Sequence, residues 1–158
     1  MKIGIMQPYF LPYIGYWQLL KLVDKFIIYD NIQYSKKGWI SRNRFLRNGS
    51  PHTFSLPIEK ASSKSDILDR VISKDFIPEK FLRQIEGAYS RSKYFGEVIP
   101  LFSEIVYFND KNLFSFLYNS VIKICNVLSI DTSKIIISST IPINHNLKSR
   151  IIESDLQK

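Results

Sequence analysis

Within its first thirty residues the chain runs through an apolar segment, a crowded aromatic loop, a helical pattern and a second apolar segment. Few architectures accept that order. Residues 2–6 (KIGIM) read as a short buried strand. Residues 7–13 (QPYFLPY) are irregular, because Pro8 and Pro12 each push the residue before them out of the helical region. From Ile14 apolar side chains recur a turn apart as far as Val23, which predicts a helix. Residues 25–30 (KFIIYD) are a second apolar strand that stops on Asp30. Strand, loop, helix and strand at this spacing form a βαβ unit, so a parallel pair with a right-handed crossover is expected. Ligands of open α/β sheets settle past the carboxyl ends of the strands, which is where residues 7–13 would lie.

The remainder adds elements around that unit. Residues 44–58 (RFLRNGSPHTFSLPI) read as a β-hairpin turning at Asn48-Gly49. The Ser/Lys-rich residues 60–65 are expected to be mobile, and residues 65–72 form a short element. A helix is predicted with Pro78 in its first turn and Phe81, Leu82, Ile85 and Ala88 on its apolar face. A second spans 94–108, with Pro100 near its first turns. A third, capped by Asn109 or Asp110, carries a stripe of Leu113, Phe116, Leu117, Val121, Ile124 and Leu128. Residues 134–139 (KIIISS) are a late strand returning to the parallel sheet, and a last helix starts near Ser149. The expected fold is α/β: a small parallel sheet of Rossmann-like type, an inserted β-hairpin and a helical C-terminal half. No repeat or linker divides residues 1–158, so one domain is expected.

No apolar run reaches the ~20 residues of a membrane span, and Lys2 leads at once into a strand rather than a signal peptide. Cys125 is the single cysteine, which rules out an intrachain disulfide and suits a cytoplasmic location. It lies in an apolar helical stretch and reads as a buried bystander. The net charge of +8 is uneven: residues 1–50 hold eight basic and two acidic side chains. That excess points to an anionic partner beside the opening loop.

Three groups of residues carry candidate chemistry. The opening loop offers Gln7, Tyr13 and Tyr16, with Gly15 at a helix start where a phosphate could approach the backbone. Neither the dinucleotide fingerprint nor the P-loop is present. The layout is instead like that of HIGH-motif nucleotide-binding folds, with Tyr13-Ile14-Gly15-Tyr16 in the place of the motif. Tyrosine donates a hydrogen bond but is uncharged near neutral pH, so binding geometry is indicated more than adenylyl transfer. The second group is Gln33, Lys36, Lys37, Trp39, Arg42, Asn43 and Arg44, with no acid between Asn31 and Ile58. Guanidinium and ammonium groups beside Trp suit a phosphate carried by a flat or sugar ring. So short a cluster favours a small phosphorylated ligand over a nucleic-acid groove, which would use the same residue types. The third group is Asp30 and His145. Asp30 is a general base, a Mg²⁺ ligand or a salt-bridge partner for the basic cluster, and His145 is an acid–base candidate. His52 reads as a surface or packing residue of the hairpin, and no spacing resembles a structural metal site.

The wording MQPYF, then PYIGYW, then YDNIQY and WISRNR resembles the WbqC-like family, most densely over residues 1–57. The resemblance implies a bacterial cytoplasmic protein of surface-polysaccharide, or O-antigen, biosynthesis. It implies a link to transfer of an amino acid such as glycine onto a nucleotide-activated amino sugar, by a transferase or an ATP-dependent, ligase-like enzyme. The implied ligand is a nucleotide-sugar, with ATP and Mg²⁺ as cofactors if an acyl-adenylate forms. Family members usually continue beyond the point where this chain stops, so a truncated copy or a short variant is expected. Two other functions fit the same residues: a nucleic-acid-binding module, and a non-catalytic partner subunit of a polysaccharide complex.

Overall fold

A computed structural model of the protein describes residues 1–36 and 38–142. It is a mixed α/β structure. The parallel sheet is built from β1 (Ile3–Met6), β2 (Lys25–Ile28) and β5 (Ile135–Ile137), in the order β1-β2-β5. Helix α1 (Ile14–Leu22) joins β1 to β2, and Ile3 aligns with Lys25 and Met6 with Ile28. β5 pairs parallel with β2, Phe26 beside Ile135 and Ile28 beside Ile137. The βαβ unit and the return of the late strand are therefore both present.

The strands alternate. Gly4, Phe26 and Ile28 are buried, whereas Ile3 and Ile5 on the other face are 51% and 59% exposed. The expectation of a buried first strand thus holds for one face only. Parallel sheets are ordinarily covered on both faces, but here the described elements cover one. Tyr16 of α1 meets Phe26 edge-on at 5.2 Å. Cys125 of α4 (Leu113–Val127) lies close enough to Tyr16 to bear on its ionisation.

β3 (Arg42–Arg47) and β4 (Ser50–Ser55) form the antiparallel hairpin, and Asn48 and Gly49 turn it with φ of 52° and 76°. Two consecutive positive φ values are the mark of the type I′ turn that matches strand twist. α2 (Pro78–Tyr89) starts on its proline, and α3 (Phe95–Val106) carries Pro100 inside. α4 is capped by Asn112, whose Oδ1 accepts from Ser115 N at 3.0 Å, and not by Asn109 or Asp110. Asp110 is spent on the N–H of Asn112 itself, at 2.8 Å. At its other end α4 closes in a Schellman motif: Ser129 takes φ 52°, and Ile130 N donates to Cys125 O at 2.9 Å.

Residues 60–65, expected to be mobile, are tied down. Gln33 Nε2 donates to Ser63 O at 2.7 Å, Tyr34 N to Ser65 O at 3.1 Å and Arg70 Nη2 to Ser62 O at 2.6 Å. Arg70 is buried, and its guanidinium sits 4.9 Å over the Tyr34 ring. Residues 65–72 hold a 3-10 turn, Ile67–Asp69, and isolated bridges at Val71 and Ile72. The last predicted helix falls outside the described residues. No described helix is long and apolar enough to cross a membrane.

Cys125 is fully buried, and burial pushes its thiol up to about 11. At neutral pH it is a protonated packing group, not a nucleophile. It should react with a thiol-specific disulfide reagent only as the protein unfolds. A fast, complete reaction of the native protein would show that α4 does not cover it.

Candidate functional site

The opening loop is a packed structure. Phe10 is fully buried, with ring centroids 5.7 Å from Phe54, 5.7 Å from Phe81 and 5.6 Å from Phe116. One side chain of the loop therefore joins the hairpin, α2 and α4. Phe10 N donates to Ile40 O at 2.9 Å, and the buried indole of Trp17 donates to Pro12 O at 3.1 Å. Between these anchors Leu11 takes φ 50°, a left-handed conformation costly for a side chain with Cβ. Asn43 supports it: Nδ2 donates to Leu11 O at 2.6 Å and to Phe10 O at 3.3 Å.

This geometry sorts the candidate residues. Asn43 is spent on the loop and on its neighbour, accepting from Arg44 N at 2.8 Å. Gln33 is spent on residue 63, as described above. Gln7 is half-buried at the loop's start, and Lys36 is exposed. Tyr16 turns inward among Tyr9, Trp17 and Phe26, its hydroxyl buried without a hydrogen bond. Burial, with Tyr9 adding to it, holds that phenol far above the ordinary tyrosine range. Tyr16 is therefore a core residue, a fate legible in its i, i+4 spacing to the buried Leu20. Lys37 and His145 lie outside the described residues.

Tyr13, by contrast, is 64% exposed and stands at the N-cap of α1. Its ring lies over Gly15 so closely that a Cβ there would clash with Tyr13 Cε2. The clash is with the far end of an exposed side chain, so Gly15→Ala should displace the ring and leave stability within ~1 kcal/mol of wild type, given alanine's better helix propensity. Thermal melts check the stability, and the fluorescence or NMR signal of Tyr13 checks the ring. A loss of several kcal/mol would mean that Gly15 serves the backbone and not the ring.

Trp39 is half-exposed, with the Arg42 guanidinium 5.0 Å and the Arg44 guanidinium 5.1 Å from its ring centroid. Alternate residues of β3 thus bring two cations onto one indole. Arg44 is exposed and has no ion pair among the described residues. Arg44 also shares a cavity wall with Leu11 and Pro12, which brings this cluster beside the opening loop.

Asp30 stands apart from the cluster. It is fully buried, and it ties the end of β2 to the end of β5. Ser138 Oγ donates to Oδ1 at 2.7 Å, Ser139 N to Oδ1 at 2.9 Å and Ser139 Oγ to Oδ2 at 2.6 Å. Burial alone would raise its pKa, but the hydrogen bonds from Ser139 and Ser138 outweigh burial and hold the carboxyl below the ordinary value. No lysine or arginine pairs with it among the described residues, so hydroxyls fill the place expected for a salt bridge. A carboxylate with both oxygens engaged is a poor base and a poor Mg²⁺ ligand. Among the described residues no other His, Cys, Asp or Glu set converges on a metal position. Ser138 and Ser139 escaped sequence reasoning; their signal is a Ser-Ser pair ending the strand beside the one that ends on Asp30.

Comparison with known proteins agrees with the wording of the opening loop. The sequence pattern of the WbqC-like protein family matches residues 7–157. The uncharacterized protein Rv1507c of Mycobacterium tuberculosis is 30% identical over 136 residues, which cover 83% of this chain and 58% of that protein. The chain thus spans under two-thirds of that relative's length. No solved structure matches it. The protein belongs to the WbqC-like protein family.

Proposed function

We propose that the chain binds a nucleotide-activated amino sugar and serves surface-polysaccharide (O-antigen) biosynthesis in the cytoplasm, in the transfer of an amino acid such as glycine to that sugar. The observation that carries this reading is the pair of guanidiniums flanking Trp39, one of them without an ion pair. Two planar forks on one indole suit the phosphates of a ligand whose ring stacks on or beside the indole. The N-terminus of α1, under the Tyr13 ring, supplies further N–H groups of the polarity a phosphate prefers. On this reading the β1–α1–β2 unit is of the HIGH-motif, Rossmann-like type. Tyr13 and Gly15 face the ligand, and Asp30, kept ionised by two serines, holds the carboxyl edge of the sheet in register. His145 is the acid–base candidate. Among the described residues no three His, Cys, Asp or Glu side chains converge on a metal position, and ATP and Mg²⁺ belong to this reading only if an acyl-adenylate forms.

In a thermal-shift series, a nucleotide-sugar at saturating concentration should raise the Tm by several degrees, as linkage requires. Arg44→Ala, an exposed change, should leave the unliganded Tm within about 1–2 °C and weaken nucleotide-sugar binding roughly ten- to hundredfold. No response to any nucleotide or nucleotide-sugar would overturn the proposal. Binding to RNA or DNA with a steep salt dependence would transfer the cluster to the nucleic-acid reading.

A further inference from the structure

An open cavity of about 530 Å³ lies behind the hairpin. Its walls come from the opening loop, both hairpin strands, α2, α3 and the end of α4, with Leu11, Phe45, Phe54, Phe102 and Ile124 among them. A volume of this size falls within the roughly 300–1,000 Å³ of small-molecule pockets. Few polar groups line it, so ordered water is poorly held there. Tyr94, Val98, Val127 and Leu128 also line it and are exposed, which places the mouth between α3 and the end of α4. The charged residues in the wall are Arg44 and Lys93; no acid lines it. Lys93 Nζ sits 5.0 Å over the Tyr94 ring and has no ion pair among the described residues. The interior is therefore apolar and the fixed charge entirely positive.

We propose that this cavity is a binding site for an amphipathic anion, an aliphatic body with one carboxylate or phosphate head. The body buries in the aromatic and aliphatic wall, and the head remains near Lys93 and Arg44, where its charge is met without desolvation. An uncharged chain would gain the first contribution and lack the second. A cation would be repelled. This site needs neither Trp39 nor a nucleotide; it shares Arg44 with the function proposed above, while Lys93 and Val98 belong to the cavity alone.

The test is calorimetric titration of the full chain with dodecanoate, dodecyl phosphate and dodecanol below their aggregation limits. Saturable one-to-one binding is expected for both anions, with dodecanol weaker by about fivefold or more. The tighter of the two anions identifies the head group. Val98→Trp, a change at an exposed position that fills the mouth, should weaken both anions at least about tenfold while leaving the thermal response to nucleotide-sugars unchanged. Lys93→Glu should weaken the anions but not dodecanol, and it keeps the test open should Val98→Trp fold poorly. Dodecanol binding as tightly as dodecanoate, anion binding indifferent to both substitutions, or a self-associating protein that binds no chain would each overturn the proposal.

Discussion

Asp30→Ala is expected to lower the stability of the protein by about 3 kcal/mol, because it removes charge-assisted hydrogen bonds in a buried place and strands the Ser139 N–H that they satisfied. For a chain of this size that is a fall of roughly 6–12 °C in Tm. The pH dependence carries the sharper signature. The native carboxyl titrates below its ordinary value of 3.8, so the stability it contributes is complete above that value. That stability is lost as the pH falls through the lower native pKa. Asp30→Asn keeps the shape and abolishes the titration, so its stability should change less than wild type's between about pH 5 and pH 2. Denaturant melts of both proteins across that window measure the difference. Parallel acid limbs would mean that Asp30 is not the anchor between β2 and β5.

Phe10→Ala should cost about 3–5 kcal/mol, the range for emptying a packed phenylalanine site. The cost belongs at the top of that range because the three rings around Phe10 come from separate elements that cannot all close on the gap. The same change should loosen Leu11, whose positive φ is held by anchors on either side of it. A conservative Phe10→Leu should recover more than half of the loss. If Phe10→Ala costs less than about 1 kcal/mol, the loop is not the plug of this core.

Local rules made much of this fold legible. β1, α1 and β2 follow from proline placement and apolar spacing, and the hairpin turn follows from the demand of Asn48 and Gly49 for positive φ. What escaped was set by distant partners. Residues 109–112 (NDKN) hold several capping side chains, and Asn112 is selected because its Nδ2 also reaches Leu68 O at 2.6 Å, across 44 positions. Residues 60–65 read as mobile because serine and lysine have no local reason for order; Gln33, Tyr34 and Arg70 supply one. Arg70 itself lacks any sequence signal of burial. The cavity is invisible in sequence because its lining is drawn from the opening loop, both hairpin strands, α2, the connection after it, α3 and the end of α4. The closeness of Trp39, Arg42 and Arg44 in sequence marked the cluster, but its strand geometry was not legible, since the hairpin was expected to begin at Arg44 and β3 begins at Arg42. The separation of Asp30 from them was not legible either, since it depends on where β5 ends.

The Trp39 cluster beside the opening loop is proposed to hold the phosphates of a nucleotide-activated amino sugar. A crystal structure of the full chain with UDP-N-acetylglucosamine at saturating concentration tests it most directly. A diphosphate within hydrogen-bonding distance of the Arg44 guanidinium, and a ring against Trp39 or Tyr13, are the expected result. A ligand bound elsewhere, with Arg44 and Trp39 left in solvent, would contradict it.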